Sequence, residues 1–183
     1  MNFKELCLKY ECEKAPYGDN YDQIFKDLRN KKLKILEKMA LKLNLGCGRE
    51  YDEEFKNIDI SKDVKTDECY DINKGIKEKD NSVSEIRVGC VLEQVKDLVR
   101  VMNECWRVLE PGGLMTGYVP STDPRVLHLD PHDIRFFQED TFKYFVKDER
   151  NWQYFGKNYG YYPWSKVETS INDNGILHFK IWK

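Results

Sequence analysis

The sequence predicts an α/β fold: a three-layer, doubly wound, mostly parallel seven-strand sheet that closes with an antiparallel C-terminal hairpin. Three observations carry this expectation. Short apolar runs alternate with segments of helical periodicity; the run 41–45 ends in a glycine pair, Gly46 and Gly48; and the closing residues alternate on either side of Asp173-Asn-Gly175. Strands separated by helices pair in parallel, because a parallel crossover needs a connecting segment. An Asn-Gly turn between alternating runs makes a hairpin.

Along the chain, residues 1–20 are mixed polar and form a lead-in or flap. Ile24, Phe25, Leu28, Ile35, Leu36 and Met39 recur at helical spacing and predict a helix over 21–39. Strand one is 41–45. Gly46 and Phe55 then leave only about ten residues before strand two (56–60), near the minimum for a parallel crossover, so the first crossover helix is very short or absent. A short strand three covers 68–72 and strand four runs from Val83 to Cys90. Leu92, Val95, Leu98, Met102, Cys105 and Leu109 make an i, i+3/i+4 stripe that predicts a helix over 92–109. Pro111-Gly-Gly113 stops it, Leu114 to Val119 is strand five, and 138–146 is a short helix. Val167, Thr169 and Ile171 face Leu177, Phe179 and Ile181 across the hairpin. The whole chain, 1–183, reads as one domain, with the flap and first helix in 1–40 and the core in 41–183.

Composition narrows the function classes. A content of 40% hydrophobic and 13% aromatic residues in 183 is that of a folded domain with a substantial core. Thirty basic against 32 acidic side chains give a formal charge of −2, so no overall basic field draws the chain to nucleic acid. No apolar run reaches the roughly 18 residues of a membrane span and the start lacks a signal-peptide core; a cytoplasmic location is expected. Six cysteines occur without a Cys-x-x-Cys pair, and only three histidines accompany them. They read as reduced and mostly structural, with no metal site expected.

Two glycines one residue apart let a ligand approach the backbone, since neither has a Cβ in the way. Asp59 ends the next strand, eleven residues after Gly48, at the same sheet edge, where a carboxylate can accept from a ribose diol. The dinucleotide fingerprint would need a glycine where Tyr51 stands, and a phosphate loop would need Lys-Ser/Thr where Arg49-Glu50 stands. A ligand with ribose and adenine but no phosphate fits better, and S-adenosylmethionine is one.

Six segments in order now resemble the class I S-adenosylmethionine-dependent methyltransferases, over roughly 41–145. They are Leu41-Lys-Leu-Asn-Leu-Gly-Cys-Gly48 with Asn57-Ile-Asp-Ile60, Tyr70-Asp-Ile72, Asp80-Asn-Ser-Val-Ser-Glu-Ile86, Val91-Leu-Glu-Gln94, Glu104-Cys-Trp-Arg-Val-Leu-Glu-Pro-Gly-Gly113 and Asp130-Pro-His-Asp-Ile-Arg-Phe-Phe137. The chain looks most like the small methyltransferase-like branch. The resemblance implies that Gly46, Cys47 and Gly48 pass beneath the methionine and ribose of the cofactor, and that Asp59 takes the ribose hydroxyls with Ile60 on the adenine. It further implies that Asp71 and the Ile72 backbone read the adenine, and that Gly89, Cys90 and Val91 border the sulfonium. Three positions depart from the family pattern: Asn44 replaces an acid before the glycine loop, and Gln94 and Asp133 stand where relatives carry histidine. His132 and Asp133 are the candidate catalytic residues by analogy.

The expected function is transfer of a methyl group from S-adenosylmethionine to an acceptor, most simply a small molecule; the oligomeric state is open. The alternative is a catalytically silent protein that binds the cofactor as a partner or sensor. A nicotinamide-dependent reductase is disfavoured by Tyr51. The aromatic tract 142–164 is read as mostly core and hairpin packing, with base stacking beside Lys143, Lys147, Arg150 and Lys157 as its alternative, and the pair Glu104–Arg107 as a solvated ion pair.

Overall fold

Leu41, Leu43 and Leu45 alternate with Lys42 and Asn44, and this period of two makes β1 (Leu41–Leu45) a strand with one apolar face. The computed structural model describes residues 26–30, 40–127 and 129–183. The chain forms two compact units, Met1–Ala40 and Leu41–Lys183. Of the expected N-terminal helix, residues 26–30 are helical, and the rest lies outside the described residues.

The second unit is one seven-stranded sheet, ordered β3-β2-β1-β4-β5-β7-β6. Beyond β1, its strands are β2 (Lys56–Asp59), β3 (Glu68–Cys69), β4 (Val83–Gly89), β5 (Leu109–Pro120), β6 (Lys166–Ile171) and β7 (Ile176–Trp182). The first five pair in parallel, and β7 lies antiparallel to both β5 and β6. The chain fills the sheet outward from β1 to β3, then returns to the other side of β1 with β4. That reversal opens a crevice at the strand C-termini, between β1 and β4.

Register explains the two faces. Leu43, Ile86, Met115 and Ile181 lie in one row across β1, β4, β5 and β7, and all are fully buried. The neighbouring row on the opposite face reads Asn44, Arg87, Thr116, Lys180 and Glu168. That face carries the Lys42–Glu85 pair at 3.1 Å and the Arg87–Asp52 pair at 2.8 Å, and the Arg87 guanidinium sits 4.1 Å over the Phe55 ring. The apolar core lies on the first face. Helix α1 (Leu98–Val108) buries Val101, Met102, Cys105 and Val108 there, and Phe142 stacks on Phe179 with centroids 4.2 Å apart. Each such side chain contributes about 1.5–3 kcal/mol when fully buried.

Several elements differ from the sequence expectation in extent. The helix expected over 92–109 starts only at Leu98, with Asp97 as its N-cap accepting from the Arg100 amide at 3.0 Å. Leu92 and Val95 are buried at helical spacing, but Leu92 lies in a turn and Val95 in the irregular segment after it. Their carbonyls accept from the Arg135 guanidinium, and carbonyls held from outside are unavailable to a helix. Strand three is only two residues long, because Asp71 caps a 3-10 turn, Ile72–Lys74, instead. Strand five starts earlier, at Leu109: the register jumps from Val83↔Leu109 to Glu85↔Leu114, so Pro111-Gly-Gly113 is a bulge within it. The helix expected at 138–146 is a 3-10 turn, Thr141–Phe145. Glu104 and Arg107 staple α1 to the preceding crossover: Glu104 accepts from the Ile76 amide at 2.9 Å, and Arg107 donates to the carbonyls of Ile76 and Glu78 at 2.7 and 2.9 Å.

Candidate functional site

The glycine loop is held by its own strand neighbours. The amides of Gly46 and Cys47 both donate to the Ile58 carbonyl, at 2.7 and 3.1 Å. Asn44, buried below the loop, donates to the Glu50 carbonyl at 2.8 Å and to Asn57 Oδ1 at 3.0 Å. Asn44 is one of the three departures, and here a neutral amide braces the loop through a donor that a carboxylate would lack. Gly46 and Gly48 both have positive φ, 67° and 50°. They are required for different reasons. A Cβ on Gly46 would lie 2.2 Å from Val91 Cγ2, whereas one on Gly48 would project into open space.

That open space is a cleft of about 570 Å³ at the reversal point of the sheet. All ten residues singled out for the cofactor lie along it. Gly46, Cys47 and Gly48 form one wall and Gly89, Cys90 and Val91 the other; Asp59, Ile60, Asp71 and Ile72 close the end beside β2 and β3. Asp59 accepts from the Gly48 amide through Oδ2 and from the Ser61 amide through Oδ1, each at 2.8 Å, so it fixes the loop as well as facing the cleft. Ile60 exposes an apolar surface there, 67% accessible. Asp71 Oδ1 accepts from the Asn73 backbone and side-chain nitrogens at 2.9 Å. Those bonds hold its carboxyl below the usual carboxylate range.

The two catalytic candidates do not line this cleft. His132 is 81% exposed, with Nδ1 at 2.9 Å from Asp130 Oδ1. Asp133 stands one hydrogen bond away from the cleft: Gln94, which lines it, donates Nε2 to Asp133 Oδ1 and Asp130 Oδ2, both at 3.3 Å. His128 lies outside the described residues.

Other residues reach the cleft that the sequence did not single out. The Tyr118 hydroxyl donates to the Glu50 carboxylate, 3.0 Å from either oxygen, and both residues line the cleft. The Tyr118 ring can lie over β4 because Gly89 has no side chain; a Cβ there would meet it at 2.5 Å. Burial, then the Glu50 bond, push the phenol up to about 12. Cys90 adopts φ 49° and donates its amide to the Tyr118 carbonyl at 2.9 Å. Burial, then the nearby charges of Glu93, Asp133, Glu50 and Asp130, raise its thiol to about 11, so it is neutral and a poor nucleophile near pH 7. Tyr70, Asn73, Arg49 and Val95 complete the lining.

Glu93 lies just behind this wall. Its side chain is buried, 1% accessible, and Oε2 has no hydrogen-bond partner among the described residues. Burial, followed by the charges of Asp133 and Asp130, lifts its carboxyl to about 7; Arg135 and its own backbone amide offset part of that.

Residues 43–116 match the family model of a methyltransferase domain. Among solved structures, an S-adenosylmethionine-dependent methyltransferase from Archaeoglobus fulgidus aligns over 100% of both chains, with 13% identity and a TM-score of 0.58. One from Thermotoga maritima covers 78% of this chain and 82% of its own, at 12% identity and a TM-score of 0.54. Another, from Aquifex aeolicus, covers 81% and 87%, at 14% identity and a TM-score of 0.52. At these identities the likeness is one of fold. A comparison with curated proteins gave no match.

Proposed function

We propose that this chain, whose residues 43–116 match a methyltransferase-domain model, is a class I S-adenosylmethionine-dependent methyltransferase that moves a methyl group to a small-molecule acceptor. S-adenosylmethionine is its cofactor, and it supplies a methyl group already activated on a sulfonium. The observation that carries the reading is the convergence of three separate segments, 46–48, 59–72 and 89–91, on one cleft at the sheet's reversal point. The residues fit the cofactor physically. Gly48 leaves volume for a ligand against the backbone, Asp59 keeps lone pairs beyond its two amide bonds for a diol, and exposed Ile60 offers an apolar surface for a base.

In this reading the chain binds and orients. Gly46, Cys47 and Gly48 run under the methionine and ribose portions, while Asp59 and Ile60 hold ribose and adenine. Asp71 and the Ile72 backbone receive the adenine edge. Gly89, Cys90 and Val91 border the reacting centre, where holding a nucleophile in line and excluding water is the main contribution. Asp133 acts on the acceptor side through Gln94. The four described cysteines are free, the state a reducing compartment maintains, which supports a cytoplasmic location. No helix among the described residues is long and apolar enough to cross a membrane.

One observation favours the alternative of a cofactor-binding protein without transfer activity: the exposed His132 side chain lies outside the cleft. Calorimetry with S-adenosylhomocysteine tests the common ground, with a micromolar dissociation constant expected. Release of S-adenosylhomocysteine from S-adenosylmethionine in a small-molecule cell extract then separates the two readings. Binding without release would favour the silent protein, and no binding would overturn both.

A further inference from the structure

We propose that Glu50 takes the α-ammonium at the amino-acid end of the cofactor, with Tyr118 as the positioning residue that aims its carboxylate. The assignment rests on the S-adenosylmethionine reading above and gives the charged end of that ligand a partner.

Three carboxylates line the cleft: Glu50, Asp59 and Asp71. Asp59 and Asp71 stand beside β2 and β3, where Asp59 receives the Gly48 and Ser61 amides and Asp71 both nitrogens of Asn73. Glu50 belongs to the other end. Its carboxylate meets the Tyr118 hydroxyl, 3.0 Å from either oxygen, and that hydroxyl would lie only 2.7 Å from a Cβ on Gly89. Tyr118 is on β5, across β1 and β4 from β2. A ligand with its ribose and base on Asp59 and Asp71 therefore directs its remaining segment towards Glu50. In S-adenosylmethionine that segment is an amino acid with a free ammonium.

Little freedom is left to Glu50. Its amide donates to the Cys47 carbonyl at 2.7 Å, closing a turn, and its carbonyl accepts from the Asn44 side chain at 2.8 Å. Asn44 stands where the resembled pattern carries an acid, and an ionised carboxylate has no hydrogen to give that carbonyl. The departure at Asn44 thus removes a charge beneath the loop and anchors one in the cleft.

The anchored carboxylate is fixed but not neutralised. The Tyr118 phenol, pushed up to about 12 by burial and then by the Glu50 bond, keeps its proton near pH 7 and adds no charge. Among the described residues no lysine, arginine or histidine pairs with Glu50, and Arg49, its neighbour in the chain, lines the same cleft without an ion pair to it. Each Glu50 oxygen keeps a lone pair beyond the Tyr118 bond. An ammonium supplies three donors and one positive charge, and such charge-assisted bonds are roughly twice as strong as neutral ones.

Calorimetry near neutral pH compares S-adenosylhomocysteine, which carries the same amino-acid end, with 5′-methylthioadenosine, which has the adenosine and thioether alone. A third probe, 5′-(3-aminopropylthio)-5′-deoxyadenosine, restores the amine without the carboxylate. In the parent protein both amine ligands should bind more tightly than 5′-methylthioadenosine. Glu50→Gln keeps the length of the side chain and an oxygen for Tyr118. It should weaken the two amine ligands by roughly 10–100-fold, with 5′-methylthioadenosine within about twofold of the parent. Tyr118→Phe should show the same selectivity with a smaller loss, about 2–10-fold. An equal loss for all three ligands would mean that Glu50 acts through the shape of the loop, and would overturn the proposal. So would unchanged S-adenosylhomocysteine affinity in a folded Glu50→Gln protein, a loss that spares the aminopropyl thioether, or a parent that binds 5′-methylthioadenosine as tightly as S-adenosylhomocysteine. Failure of all three ligands to bind the parent would instead overturn the S-adenosylmethionine reading, and this proposal with it.

Discussion

The side-chain amide of Gln94 donates to Oδ1 of Asp133 at 3.3 Å, joining two of the three positions at which the sequence departs from the pattern it resembles. One becomes a neutral donor on the cleft wall and the other an anionic acceptor on the loop beyond β5. The substitutions are therefore coupled in space although 39 residues apart in sequence. The same amide also reaches Asp130, so a single side chain ties the loop to the cleft.

Gln94→Ala should free that loop. Both bonds are long and exposed, so together they contribute about 1 kcal/mol. Amide exchange across 130–135, including Ile134, whose amide donates to the Glu93 carbonyl at 3.1 Å, should quicken by roughly fivefold. Exchange within α1 should not change. Equal protection of the loop in both proteins would show that Arg135 and the Ile134 amide hold it without Gln94.

Gly48→Val separates ligand space from packing space. The new side chain points into the cleft rather than into protein, so S-adenosylhomocysteine binding should fall by more than about 100-fold. The positive φ costs about 1–2 kcal/mol of stability, leaving the protein folded. Gly46→Ala should behave in the opposite way, lowering the melting temperature without ligand because its Cβ strikes Val91. Melting curves with and without ligand distinguish the two patterns.

Asp59→Ala should weaken S-adenosylhomocysteine roughly 10–100-fold and also lower the melting temperature. The carboxylate is nearly buried and receives the Gly48 and Ser61 amides, so its loss frees two donors as well as a ligand contact. Asp59→Asn should fall between the two proteins on both measurements. Unchanged affinity in a folded Asp59→Ala protein would mean that the ribose is held elsewhere.

Much of this was legible in sequence because the patterns are local. The alternation of Leu41, Leu43 and Leu45, the glycine pair and the Asp173-Asn-Gly175 turn each fix their own backbone. The extent of α1 was not, since Leu92 and Val95 keep helical spacing while Arg135, some forty residues later, takes their carbonyls. Asp71 gives a mixed case: the cap and the cleft position belong to one residue. Tyr118 and Glu50 went unnoticed because they meet only after β4 and β5 pair, over a glycine with no side chain to separate them. Glu93 is one polar letter within Val91-Leu-Glu-Gln94, and only burial distinguishes it from a surface acid.

Glu93 gives the sharpest pH prediction. Its carboxyl lies near 7 in the folded protein, above the roughly 4.3 of an unfolded chain, so between those values the folded state binds the extra proton. Stability from this group is therefore full below about pH 4.3 and is lost as pH rises through 7. Once ionised, the buried carboxylate is repelled by the charges of Asp133 and Asp130, which Arg135 offsets only in part. Over that window the loss is of the order of 3–4 kcal/mol. Glu93→Gln keeps the shape and cannot ionise, so the variant should melt higher than the parent at pH 8. The difference should shrink as pH falls below 7 and approach zero near pH 4. Thermal melts across that range, without ligand, provide the check: a constant offset would mean that Glu93 does not titrate there, and a variant less stable at pH 8 would mean that the ionised carboxylate is needed for packing.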